Sequence, residues 1–211
     1  GWNKILDSYK YLSWSTPFPV MVAWQMVGLG EALGNLFTSR VGDYLLDIRI
    51  ATEFTVQGVP THKGFAIATA DVAMGLKYYV DKHPELNDAA AEGMIDFFVT
   101  GHSLGGSVTN LLCATVLNGL QANGNKVYGY CMAPPKTIHF FEGYAIDGCD
   151  NIWNIVISDD FWGSTYPGDA TGDFPTVWSR YGNDRYIPYT GNLDAHHSYS
   201  YIEGLLMEMK Q

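Results

Sequence analysis

Basic residues are scarce. Twelve lysines and arginines stand against twenty-two aspartates and glutamates, a formal net charge of −10, and the basic ones form no cluster. A nucleic-acid partner needs a basic stripe to neutralise phosphates, so none is expected. An anionic lipid headgroup finds no electrostatic attraction here either. Cysteine is nearly absent. Cys113, Cys131 and Cys149 are odd in number and fit no metal-ligand spacing, which excludes a disulfide framework and leaves room for one bridge at most. Cys113 and Cys131 fall in a predicted helix and a predicted strand, where each is expected as a small core residue. No apolar run reaches the length of a membrane span. No internal repeat, linker or signal peptide is visible. The chain begins at Gly1 without a methionine, which fits removal of a leader, so the expected location is secreted or extracellular.

What is present is the composition of a folded domain. With 211 residues, 47% apolar and 16% charged, the chain is long enough for one sizeable core, and residues 1–211 are read as a single domain. Residues 1–19 carry Trp2, Tyr9, Tyr11, Trp14 and Phe18, an arm packed by rings, and 20–24 reads as a strand. Leu29, Leu33, Leu36 and Phe37 recur at helical spacing, which fits either a core helix or an amphipathic flap over 27–41. Residues 48–54 read as a strand. A helix is predicted from about His62 to Asp81, with Phe65, Ala68, Val72, Leu76 and Tyr79 on one face and Pro84 beyond its end. Strands are predicted at 95–100, buried by its composition, at 126–131 and at 152–157. Residues 161–193 are rich in Gly, Asp, Pro and aromatic residues without periodicity and read as a long loop with short ordered pieces. A last helix over 198–210 is expected to turn Ile202, Leu205, Leu206 and Met209 inward. Strands alternating with helices imply an α/β class, a mostly parallel sheet with helices on both faces.

The most informative stretch is 94–106. An apolar strand leads into Gly101-His102-Ser103-Leu104-Gly105, which fits G-x-S-x-G, and a helix leaves it. That context holds a serine at the tip of a sharp turn, with both glycines expected where a side chain would clash. The helix N-terminus aims backbone N–H groups at the place where negative charge would develop. A serine hydroxyl needs a base to remove its proton and a carboxylate to orient the base. In a parallel sheet such groups sit past the carboxyl ends of strands. Asp159 and Asp160 follow the strand 152–157, and His196 and His197 precede the last helix, so the pair is one of each. The other histidines compete poorly. His62 opens an early helix, His83 lies beside Pro84, and His139 falls in a loop between strands. His102 points away from Ser103 in an elbow, which suits packing or contact with nearby loops. Asp169, Asp173 and Asp184 have no calcium-loop spacing, and no metal or other cofactor is called for.

These residues carry a family resemblance. Val99-Thr-Gly-His-Ser-Leu-Gly-Gly106, Asp43-Tyr-Leu-Leu-Asp47 and His62-Lys-Gly-Phe65 resemble, in turn, the elbow, the D-W-x-x-D segment and the H-x-G-F of the class 3 (fungal-type) lipases of the α/β-hydrolase fold. Tyr130-Cys-Met-Ala-Pro134 resembles that family's G-x-P strand end without its glycine. Ser158-Asp-Asp-Phe-Trp162 resembles N-x-x-D-x-V-P, with Asp160 at the acid position and with Ile157 and Trp162-Gly163 in place of Asn and Val-Pro. Ala195-His196, followed by Tyr199 and Tyr201, resembles the histidine segment. The likeness spans roughly 20–210. It implies Ser103 as nucleophile, His196 as base and Asp160 as its carboxylate. It further implies Leu104 and Val27, with Met26 the alternative to Val27, as backbone donors to the oxyanion, and 27–41 as a lid. The family's Arg-Gly pair is replaced by Trp24-Gln25-Met26-Val27, and a backbone N–H needs no particular side chain. The implied substrates are acylglycerols or other lipid-like esters met at a lipid–water interface and cleaved through an acyl-enzyme. Three rivals share the fold. One is a feruloyl-type esterase with Trp162, Tyr166, Trp178, Tyr181, Tyr186 and Tyr189 lining an aromatic pocket. The others are an acyltransferase on the same triad and a catalytically dead binding protein, which only the altered Gln25-Met26-Val27 favours.

Overall fold

A computed structural model of the chain describes residues 53–140, 148–164, 177–191 and 193–210. The strand expected at 20–24, the helix or flap at 27–41, Val27 and most of the strand at 48–54 lie outside the described residues. In chain order the elements are β1 (Glu53–Val56), β2 (Val59–His62), α1 (Lys63–Lys82), α2 (Pro84–Ala91), β3 (Asp96–His102), α3 (Leu104–Leu111), β4 (Lys126–Met132), β5 (Ile138–Phe140), β6 (Ile152–Val156), α4 (Phe161–Ser164), β7 (Val177–Ser179), β8 (Asn183–Tyr186) and α5 (Ser198–Glu208). Beyond α3 the chain continues through a π-helical turn, Leu112–Leu117, and a 3₁₀ segment, Asn118–Asn123.

Two sheets result. β3, β4, β6 and β8 are parallel in that order, and their register sets Gly101 beside Cys131, Cys131 beside Asn154 and Asn154 beside Asp184. β1, β2, β5 and β7 form an antiparallel sheet. Its β1–β2 hairpin turns at Gln57 and Gly58, both with positive φ (50° and 85°), as a turn matched to the strand twist requires. α3 covers one face of the parallel sheet and α1 packs on α3 and on β1 and β2, and the core between them buries Phe65, Ile67, Leu111, Leu112, Val127 and Ile152. Each such side chain contributes about 1.5–3 kcal/mol on burial. Cys113, Cys131 and Cys149 are free thiols within this core, and burial pushes the Cys113 thiol up to about 12. On the opposite face α5 packs at the β6 end through Tyr201 and Leu205, against Ile155 and Ile157. Among the described residues, no helix is long and apolar enough to cross a membrane.

Several expectations change here. Of the face expected for α1, Phe65 and Ala68 are buried and Leu76 partly so, while Val72 and Tyr79 are 46% and 55% exposed. The buried set also takes in Ala66, Ile67, Ala70, Ala73 and Val80, small residues for the most part, which suit a helix packed against α3. In α5 the inward residues are Ser200, Tyr201 and Gly204, and Ile202, Leu206 and Met209 are exposed. A Cβ at Gly204 would stand 2.5 Å from the Pro188 carbonyl oxygen, so this is the face that can approach. β3 is not buried throughout. Its residues alternate, and among the described strands it pairs with β4 alone. Phe98 stacks on Tyr128 (5.0 Å) and Tyr130 on Trp153 (5.2 Å) along its outer face. Pro84 opens α2 at its first turn, where its missing N–H costs nothing. His139 lies in β5, buried and stacked on Trp178 at 5.2 Å, rather than in a loop. The stretch 161–193 contains β7 and β8, with 165–176 outside the described residues. All four residues of β8 are exposed, so no apolar alternation announced it. Gly182, at φ 81°, permits the close passage that leads into it, since a Cβ there would stand 2.3 Å from the Ile152 carbonyl oxygen.

His62 caps α1. The Phe65 N–H donates to its Nδ1 at 3.3 Å, and the ring is fully buried, which lowers its pKa to about 4. An unfolded chain binds this proton near pH 6.5, and the folded chain does not until about pH 4. Stability is therefore lost as pH falls from about 6.5 to about 4 and is flat below; by pH 5 the loss is about 2 kcal/mol. His62→Asn keeps a capping acceptor without the titration. Its urea midpoint should fall less between pH 7 and pH 5 than that of the wild type. Equal falls in the two proteins would refute this assignment.

Candidate active site

β3 delivers Ser103 into a backbone conformation that L-residues rarely adopt, φ 57° and ψ −123°. Two hydrogen bonds hold it there. The Ser103 N–H donates to the Met132 carbonyl at the end of β4 (2.9 Å), and the Ser107 N–H donates to the Ser103 carbonyl (3.1 Å). Gly101 makes the turn possible, since a Cβ there would lie 2.2 Å from the Gly105 carbonyl oxygen. Gly105 is different. It is exposed, and a Cβ there meets nothing within 4 Å among the described residues. The second crowded position is Gly106, where a Cβ would come within 2.8 Å of the Met132 carbonyl oxygen. The expectation that the two motif glycines both avoid a clash thus holds for Gly101 only. Leu104 is the first residue of α3, so its N–H belongs to the unpaired first turn at the positive end of the helix.

Asp160 and His196 reach the serine from two later segments. Asp160 sits in the turn after β6, its N–H donating to the Ile157 carbonyl, and it is 1% exposed. The His196 Nδ1 donates to its carboxylate at 2.9 and 3.0 Å, and the His196 Nε2 accepts from the Ser103 hydroxyl at 2.7 Å. The Tyr201 hydroxyl (2.5 Å) and the Trp162 N–H (3.0 Å) also donate to Asp160, as does the Gly163 N–H. Burial works against the ionised carboxyl, but these donors and the nearby imidazole outweigh it and hold Asp160 below its ordinary value. Asp159 is exposed. His197 is exposed too and caps α5, its Nδ1 accepting from the Tyr199 N–H. Of each neighbouring pair, then, one residue bonds within the serine system, while Asp159 and His197 are exposed and make no hydrogen bond to Ser103.

Supporting contacts fix the imidazole. Asp194 Oδ1 accepts from the His196 N–H at 2.9 Å. The His102 Nε2 lies 2.9 Å from the His196 carbonyl oxygen. A carbonyl only accepts, so His102 carries its proton on Nε2, and burial followed by the neighbouring His196 charge keeps its pKa low. His102 therefore holds the backbone of His196, the contact with a nearby loop that its position suggested. Tyr201 went unassigned in the sequence beyond its spacing from His196. It is buried among Ile155, Ile157 and Ile187. A cavity of about 400 Å³ opens beside the imidazole, lined by Asp159, Asp160, Trp162, Tyr189, Asp194, Ala195 and His196. Of the six rings expected to line an aromatic pocket, Trp162 and Tyr189 do so. Trp178 and Tyr181 are buried, Tyr186 is exposed away from this cavity, and Tyr166 lies outside the described residues. No group of His, Cys, Asp and Glu among the described residues could hold a metal ion.

A serine on a strand–elbow–helix, with an acid and a histidine following later strands of a parallel sheet, is the plan of the α/β-hydrolase fold. Residues 37–167 match the model of the family described as lipase (class 3), and the chain belongs to that family. Two solved structures are similar to it. One is the Lip2 lipase from Yarrowia lipolytica, 18% identical over 71% of this chain and 55% of that one, with a TM-score of 0.45. The other is the Rhizomucor miehei lipase in its propeptide complex, 19% identical over 64% of this chain and 42% of that one, with a TM-score of 0.40. The chain thus spans about half the length of these lipases. No curated protein matches it.

The glycine geometry is testable. Gly101→Ala is expected to cost more than about 3 kcal/mol or to prevent folding, because backbone stands where the methyl must go. Gly105→Ala, within a helix and facing open space, should be neutral or stabilising by up to about 1 kcal/mol. Denaturant midpoints of the two variants decide it, and similar losses in both would overturn the distinction.

Proposed function

We propose that the protein hydrolyses carboxylic esters, with acylglycerols or similar lipid-like esters as substrates, through a Ser-His-Asp triad. The observation that carries this reading is the unbroken contact from Ser103 Oγ to His196 Nε2 (2.7 Å) and from His196 Nδ1 to the buried carboxylate of Asp160 (2.9 Å). The Ser103 oxygen attacks the ester carbonyl as His196 takes its proton. Asp160 orients the imidazole and stabilises the imidazolium that forms. The tetrahedral oxyanion accepts from the Leu104 N–H; the second donor is assigned to Val27, which lies outside the described residues. As the C–O bond breaks, His196 returns the proton to the leaving alcohol and an acyl-enzyme remains. Water, deprotonated by His196, then releases the acid and restores the serine. Class 3 lipase membership supports this substrate class. Every group in the sequence of steps belongs to the chain, so no cofactor is invoked.

A second reading has its own observation. Trp162 and Tyr189 flank the cavity beside His196, which suits an aromatic acyl or alcohol group. An acyltransferase would share every step up to the acyl-enzyme and differ in the acceptor. A dead binding protein would share none.

A fluorophosphonate probe should label Ser103 in the wild type, and an unlabelled protein would mean a dead site. Ser103→Ala should lower turnover of a nitrophenyl ester by about four to six orders of magnitude with the fold retained. His196→Ala should cost nearly as much, since the triad acts as a unit, whereas His197→Ala should cost less than about tenfold. Full activity in either of the first two variants would refute the proposed roles. Comparing short-chain, long-chain and feruloyl esters on the wild type separates the two substrate classes.

A further inference from the structure

Arg180, in the turn between β7 and β8, has no place in the steps above, yet its side chain is only 3% exposed. Its Nη2 donates to Asp184 at 2.6 Å. Its Nη1 donates to two backbone carbonyls, those of Pro134 and Gly163, each at 2.5 Å. These carbonyls belong to the two halves of the site. Pro134 packs on the elbow, since a Cβ at Gly106 would lie 3.2 Å from its Cα, and the next carbonyl, of Pro135, accepts from Ser107 in α3. Gly163 packs on the acid, since a Cβ there would lie 3.0 Å from Asp160 Oδ2, and its own N–H donates to that carboxylate. A buried cation is costly to desolvate, and one carboxylate would suffice to neutralise it. The guanidinium fork is directed at the backbone of both halves as well.

We propose that Arg180 is a positioning residue for the reaction, a clamp that ties the loop carrying Asp160 to the turn beneath Ser103 and so sets the carboxylate against His196. Arg180 touches neither substrate nor the reacting atoms; it acts through Gly163. The inference rests on the hydrolase reading of Ser103, His196 and Asp160. The simpler alternative is a structural ion pair with Asp184.

Turnover of a soluble nitrophenyl ester, measured on the whole chain, distinguishes these. The wild type and Ser103→Ala come first, and a wild type that turns nothing over ends the hydrolase reading before any Arg180 variant is made. With an active wild type, Arg180→Lys keeps a cation beside Asp184, but a single ammonium cannot hold both carbonyls in the fork geometry. Its kcat should fall about 10- to 100-fold with KM within about threefold, the scale expected when a catalytic group is displaced by about 1 Å. Asp184→Asn leaves both Nη1 bonds in place and should lose less than about threefold in kcat. The downfield proton resonance of His196 Nδ1–H should persist in Asp184→Asn and shift or broaden in Arg180→Lys. Wild-type kcat in Arg180→Lys, or equal losses in Arg180→Lys and Asp184→Asn, would overturn the clamp. Should Arg180→Lys fail to fold, Arg180→Gln keeps a neutral donor in the same place without the fork, and its kcat should fall about tenfold or more with KM within about threefold; an undiminished kcat refutes the clamp.

Discussion

Asp160 is an ionised group with 1% of its surface exposed, and such a group persists only where donors replace the water it has lost. Much of the local structure follows from meeting that need. The turn after β6 bends back so that the Trp162 and Gly163 N–H groups face the carboxylate. α5 rotates to bring the Tyr201 hydroxyl to it, while that same hydroxyl accepts from the Ile157 N–H. This rotation sends Ile202 and Leu206 to the outside of α5, against their hydrophobicity. The remaining demand is met by His196 Nδ1, which leaves Nε2 as the nitrogen that accepts from Ser103. The tautomer a general base requires is thus a consequence of satisfying a buried carboxylate.

A second buried polar system braces the sheet behind the site. Asn110 of α3 donates to Asn154 of β6 and to the Tyr181 carbonyl, while its side-chain oxygen accepts from Thr137 and from the Tyr181 N–H. Asn154 also donates to the Tyr181 carbonyl and to Asp184, which pairs with Arg180. One network therefore joins α3, the helix after the elbow, to β6 and the β7–β8 turn. Buried polar groups are expensive when half satisfied and rigidifying when fully partnered. A purely apolar contact allows sliding; directional bonds at these positions do not. Rigidity is what Ser103 needs, because a non-glycine residue at φ 57° costs about 1–3 kcal/mol and stays there only if its surroundings leave no alternative.

Part of this was legible in the residue order. Gly101-His102-Ser103-Leu104-Gly105 between an apolar strand and a helical pattern specifies an elbow, because so sharp a turn tolerates few residue types. The strands at β3, β4 and β6, the helix after the elbow and the parallel sheet were readable from short-range periodicity and from their alternation. Candidate acids and histidines were narrowed to two adjacent pairs because catalytic groups follow strand ends. Composition argued against a basic nucleic-acid surface and a disulfide framework on charge and count alone.

The strand and helix pattern alone left both pairs open and the family resemblance pointed to Asp160 and His196; the tertiary structure sets those two in contact and leaves Asp159 and His197 exposed. A one-residue step reverses a side chain's direction, and nothing in the local sequence says which direction is inward. The same holds for the buried face of α5, where the closeness of the Pro188 backbone at Gly204 outweighed hydrophobicity. β8 has no apolar pattern to read, because it is held by backbone pairing and by Gly182 rather than by burial. Arg180 gave no local signal for its bonds to Pro134 and Gly163, nor Tyr201 for its bond to Asp160, since these partners lie 17 to 46 residues away along the chain. Local sequence determines which residues turn, extend or coil. Which of them meet is decided by packing between segments distant in the chain, and in this protein the site is made of such meetings.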